Sequence, residues 1–108
     1  MANPWAGEVD LVIDGERHAL RLTLGALAEL EASLGSNSLM DLVERFEGGR
    51  PSSRDVLALV VAGLRGGGWL GRSEDLLTSE IEGGPLAATK AAGQLLVRAF
   101  ALPSEEEA

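Results

Sequence analysis

The sequence has no cysteine, a single histidine, and aromatic residues at only 4% of its 108 positions. Without cysteine there are no disulfides, no thiolate metal ligands and no cysteine nucleophile, and the absence fits a cytosolic setting. One histidine and no thiol cannot furnish the ligand set of a zinc site. So few aromatics leave Leu, Val and Ala to fill whatever core the 45% hydrophobic content supports.

Positive charge is also scarce. Nine Lys and Arg stand against 17 Asp and Glu, a formal net charge of −8. Binding duplex DNA normally requires a basic face. Here Arg17 and Arg21 are interleaved with acids, while Arg50, Arg54, Arg65 and Arg72 are scattered. Direct nucleic-acid binding is not expected. Long apolar runs are missing too: Val56 to Leu64, the longest, is far short of the roughly 20 residues that span a bilayer. The opening MANPWAGE has neither the basic segment nor the apolar stretch of a signal peptide. A soluble, cytoplasmic protein with no membrane partner is the expectation.

What is present is clear periodicity. EVDLVID, residues 8–14, alternates as a strand with Val9, Leu11 and Ile13 on one face. RHALRLT, residues 17–23, places His18, Leu20 and Leu22 on a second such face. Gly15-Glu16 serves as the two-residue turn, pairing Ile13 with His18, Leu11 with Leu20 and Asp10 with Arg21. A turn at Asp14-Gly15 would set Glu16 opposite Ile13 on the apolar face, and the cost of a buried carboxylate favours the first register.

The period then becomes helical. Thr23 caps a helix with Leu24, Leu27, Leu30 and Leu34, ended by Gly35. Ser38, with Asp41 three positions on, opens a second helix carrying Leu39, Leu42, Val43 and Phe46. Ser52 or Ser53 opens a third, apolar most of the way round and hence central or covered by a partner. Ser73 opens a short fourth through Leu76, Leu77 and Ile81. A fifth starts at Pro85, presents Ala88, Ala92, Leu95, Leu96 and Ala99, and stops near Leu102 before Pro103.

The fold class expected is α+β, predominantly helical: an N-terminal two-stranded antiparallel hairpin followed by four to five short helices. One domain spans 1–108, with the hairpin at about 8–23, the helical part at about 24–102 and a disordered acidic tail at about 103–108. A lone hairpin must lay its apolar face on something, first of all the leucine stripe of the first helix. Otherwise its open edge pairs with another chain.

Chemistry is harder to find. In GLRGGGWLGR, residues 63–72, the glycines follow a helix and no lysine accompanies them, unlike a phosphate-binding loop. They read as a helix end and a hinge. His18 has no visible triad and reads as a half-buried strand residue rather than a general base. The acid pairs Glu29/Glu31, Asp41/Glu44, Glu74/Asp75 and Glu80/Glu82 fall on polar faces or first turns, so no hydrolytic or cation-binding pair is assigned. No catalytic, cofactor-binding or metal-binding residue is expected. Trp5, Trp69 and Leu70 are the candidate partner contacts, tryptophan being enriched at interfaces; Trp69 serves equally well as a cap on the core.

The run GEVDLVIDGERHALRLTLGALAELEASLG, followed by LVERF, GRPSSRD and AGLRGGG, resembles a small tail protein of gene transfer agents. These are phage-like particles of alphaproteobacteria that carry host DNA between cells. The resemblance covers Gly7 to about Gly68 and is densest in LTLGALAELE, residues 22–31. The family goes under two labels, tail tube protein and tail assembly chaperone, and implies no catalytic residues. Within its motif Thr23 caps, Gly25 lets hairpin and helix approach, and the leucines form the core seam.

Tube subunits of long-tailed phages are built from β-sheets that continue into their neighbours, whereas this chain offers one hairpin. The resemblance therefore implies a chaperone holding the tape-measure protein, tail tube subunits or both, with homo-oligomerisation open. A structural tube component is the alternative, and an interaction domain unrelated to particles or a small enzyme around His18 would be departures from it.

Overall fold

The computed structural model describes residues 7–35 and 38–100. Strands β1 (Val9–Ile13) and β2 (Glu16–Leu20) form the antiparallel hairpin. Helices α1 (Leu24–Leu34), α2 (Leu39–Glu47), α3 (Ser53–Gly66), α4 (Ser73–Leu76) and α5 (Gly84–Phe100) follow. The expected class, α+β with helix predominating, is what the chain adopts. Residues 101–108, with the helix end near Leu102 and the acidic tail, lie outside the described residues.

Capping signals set most helix starts. Thr23 accepts from the Ala26 N–H, while Ser38 with Asp41, and Ser52 with Asp55, each form a reciprocal capping box. Helix α3 lies at the centre, as its nearly all-round apolar surface predicts. One side of it, with Val60, Val61 and Leu64, meets the hairpin residues Val9, Leu11 and Leu20 and the α5 residues Ala88, Ala91 and Leu95. The other side, with Leu59 and Ala62, meets Ala26 and Leu30 of α1, Leu42 of α2, and Ala92 and Leu96 of α5. The hairpin thus rests chiefly on α3 and α5, not on the α1 leucines. Leu24 is 85% exposed, and Ala26 and Leu30 carry the burial of α1.

The turn is Asp14-Gly15, one residue before the expected position. Both residues take positive φ, 51° and 82°, as a two-residue type I′ turn requires. The register becomes Val9↔Leu20, Leu11↔His18 and Ile13↔Glu16. Glu16 escapes the burial expected of it in this register: at the strand end its side chain turns to water and is 81% exposed. Ile13 is covered instead by Ile81, across an antiparallel bridge.

That bridge shortens α4, which stops at Leu76 rather than reaching Ile81. Residues 80–82 leave the helix to serve the outer edge of β1. The Asp14 N–H donates to the Glu80 carbonyl (2.7 Å) and the Glu82 N–H to the Val12 carbonyl (3.0 Å). The Asp14 carboxylate accepts from the Glu80 N–H (2.8 Å).

The glycine run ends α3, as its sequence context implies, and does more. The Arg21 N–H donates to the Gly63 carbonyl (2.9 Å). A Cβ on Gly66 would collide with the Arg21 carbonyl oxygen, and one on Gly67 with that of Ala19. The end of α3 is therefore pressed against the backbone of β2 and its continuation, closer than any side chain permits. The run is a packing seam more than a hinge. Gly25 has no such role: a Cβ there would meet only Thr23 Oγ1, at 3.9 Å.

Candidate interaction surface

The side chains that looked capable of chemistry are dispersed. His18 is mostly buried in β2, and its Nε2 lies 3.9 Å from the solvent-facing carboxylate of Glu16. Neither the groove between α2 and α5 nor the smaller depressions beside α3 and β1 include it. The acidic pairs are used one by one. Glu29 holds Arg65 (2.9 Å), Asp41 closes the α2 capping box, and Asp75 accepts from the Arg72 N–H (2.9 Å). Among the described residues no three His, Asp or Glu side chains converge as metal ligands. No described helix is long and apolar enough to cross a membrane.

Of the candidate partner contacts, Trp5 lies outside the described residues. Trp69 is half-buried against the hairpin side of the core, and Gly71 leaves room for its ring. Leu70 beside it is 96% exposed. Neither Trp69 nor Leu70 borders the α2–α5 groove.

Helix α2, one wall of that groove, is tied to α3 by a contact outside the acid pairs of the sequence. Arg45, in the last turn of α2, grips Asp55 in the first turn of α3 through two hydrogen bonds, Nε to Oδ2 (2.7 Å) and Nη2 to Oδ1 (2.9 Å). The Asp55 side chain is 7% exposed. It also accepts from the Ser52 N–H (3.0 Å), so one carboxylate both caps α3 and anchors α2. The Ser52-x-x-Asp55 spacing advertised the cap. Its arginine, ten positions back across the Gly48-Gly49 turn, was not legible from local spacing.

The Arg45 guanidinium and the Ser52 amide together hold the Asp55 carboxyl below the usual carboxylate range. A group whose folded pKa is depressed contributes stability above its unfolded value, near 3.8, and loses it as pH falls through the folded value. The contribution is therefore complete at neutral pH and disappears only in acid, below about pH 4. Urea midpoints followed by circular dichroism at pH 7 and pH 3 test this. Wild type should lose more stability between those pH values than Asp55→Asn, which is less stable at pH 7 but lacks the titrating group. Equal losses would show that the clamp does not couple folding to this proton.

Helix α2 buries one residue completely, Leu42, and leaves Val43 and Phe46 half-covered. Between them and α5 runs an open groove of about 730 Å³. Its apolar surface comes from Val43, Phe46, Leu96, Val97 and Phe100, with Glu47 on the α2 wall and Lys90 and Arg98 on the α5 wall. Val97 is 70% exposed and Phe100 46%. Large apolar side chains lining a concavity with charged rims mark a surface suited to another protein segment.

No curated protein and no solved structure matches this chain. A family model described as "Phage tail tube protein, GTA-gp10" matches residues 6–102, and so extends past Gly68 through α4 and α5, where the motif resemblance faded. With all but the chain's two ends inside that match, the protein belongs to the GTA-gp10 phage tail tube protein family.

Proposed function

We propose that this protein is a tail assembly chaperone of a gene transfer agent, holding the tape-measure protein, tail tube subunits or both while the tail is built. The observation that carries this reading is how little of the sheet is offered outward. The turn end of β1, at Val12 and Ile13, is flanked by residues 80–82, and the far end of β2 is pressed against the end of α3. A tube wall made by continuing a sheet from copy to copy needs long free edges. An acidic protein with an apolar groove suits a holder of a hydrophobic helical client.

The role is non-enzymatic, and it begins in the cytoplasm before or alongside incorporation into particles. Leu70, with Trp69 beside it, and Trp5 are further proposed contacts. The second reading, a structural tube component, draws on the family's own description as a tail tube protein.

Co-expression with the tape-measure protein, followed by pull-down and by mass spectrometry of purified particles, separates the two. The chaperone reading expects a complex in the lysate and no stoichiometric copy in finished tails. Regular incorporation without any tape-measure complex would reverse the order. Light-scattering mass with and without the partner reports whether the chain self-associates.

A further inference from the structure

The α2–α5 groove carries two features that the chain's own packing leaves unused. The first is Gly93, in the middle of α5. Glycine in a helix interior is unfavourable relative to alanine, and glycine is usually kept there because a side chain would collide. Here a Cβ at Gly93 would touch only Phe46 Cδ2, at 3.8 Å, an ordinary contact. The fold does not require glycine at this position, and the missing side chain leaves the groove open there.

The second feature is Arg98. Its Nε is buried, and no described atom accepts its hydrogen bond. Together with Lys90 it gives the α5 wall two positive charges against the single negative charge of Glu47, in a chain whose formal net charge is −8.

We propose that the groove binds an amphipathic helix of another tail protein, its apolar face seated over Gly93 between Phe46 and Val97. A Glu or Asp at the edge of that face meets Arg98 and Lys90. This rests on the tail-assembly reading and says which surface receives the client and what chemistry the client has. Charge selects this occupant over a second copy. Two grooves facing each other would bring Lys90 and Arg98 of each chain to an equally cationic wall, whereas an acid-edged helix supplies the opposite charge. The absent Cβ lets the backbone of the incoming helix approach α5 closely, which an apolar face with small residues exploits.

The test uses the full-length chain and overlapping synthetic peptides, each about 20 residues (enough for a helix of several turns). They are drawn from the tail proteins encoded with this one, and binding is read by fluorescence polarisation. The expected binders are amphipathic helices bearing Glu or Asp beside the apolar face. Gly93→Leu should weaken them about tenfold or more, equivalent to about 1.4 kcal/mol. The same substitution should not lower Tm, and Gly93→Ala should raise it by a few degrees, about 4 °C. Arg98→Glu should weaken binding comparably, and exchange of the peptide's acid for Lys should restore it.

Several results would overturn the proposal. One is tight peptide binding indifferent to Gly93→Leu and Arg98→Glu. Another is wild-type dimerisation abolished by Gly93→Leu, which would give the groove to a second copy. A third is displacement by a peptide copying residues 103–108, which would give it to the chain's own acidic end. Pull-down of the tail proteins with no peptide responding to the groove variants would reject the groove and leave the chaperone role standing. Failure of both would remove the role itself.

Discussion

Replacing Gly66 by alanine is expected to destabilise the protein by about 3 kcal/mol or more, a large part of the total available to a small domain. The new methyl group would be driven into the Arg21 carbonyl oxygen. Because the backbone fixes the position of the Cβ and its neighbour is a backbone carbonyl, no rotamer change relieves the contact. Either the last turn of α3 lifts away from β2, uncovering Leu20 and Leu64, or the helix ends early. Gly67→Ala meets the Ala19 carbonyl in the same way and should behave alike. Gly25→Ala is the control. It sits at the exposed start of α1 with only Thr23 Oγ1 nearby, at 3.9 Å, so alanine's better helix propensity should leave stability unchanged or raised by up to about 1 kcal/mol. Thermal and urea unfolding of the three variants decide it. Similar midpoints for Gly66→Ala and Gly25→Ala would mean that the seam is not a close backbone contact.

Two leucines of the LTLGALAELE segment should separate just as sharply. Leu30→Ala removes a side chain that is 1% exposed, at the junction of α1, α2 and α3. Truncations of this kind cost about 2–5 kcal/mol, depending on how far the neighbours collapse into the space. Leu24→Ala, at 85% exposure, should stay within about 0.5 kcal/mol of wild type. Comparable losses at the two positions would require α1 to present a different face to the body.

These contrasts mark where the sequence was informative. Helix starts were legible because Thr23, Ser38 and Ser52 satisfy orphan amides within three residues, a wholly local matter. The central place of α3 was legible from its all-round apolar surface. The position of the hairpin turn was not legible because cross-strand pairs alone do not decide the register. Ile13 finds its cover 68 positions away at Ile81, beyond any local rule, so Glu16 was free to turn outward. The same tertiary contact cut α4 short. Gly25 and Gly66 look alike as letters, and only the position of a distant carbonyl tells an optional glycine from a required one.

The groove was half-visible. The stripe of α2 showed Val43 and Phe46, but nothing in the sequence said that α5 would stop short of covering them. The Arg45–Asp55 clamp that fixes the α2 wall spans a turn, so spacing concealed it.

The placement of the hairpin also bears on how the chain is made. On the ribosome its strands emerge well ahead of α3 and α5, the helices that cover them. For the time needed to synthesise the intervening residues, on the order of seconds, Val9, Leu11 and Leu20 face water on a ribbon too small to persist by itself. Completion of the native structure therefore waits for the last helix to leave the exit tunnel, which makes the nascent chain most vulnerable to proteases and to mispairing during translation.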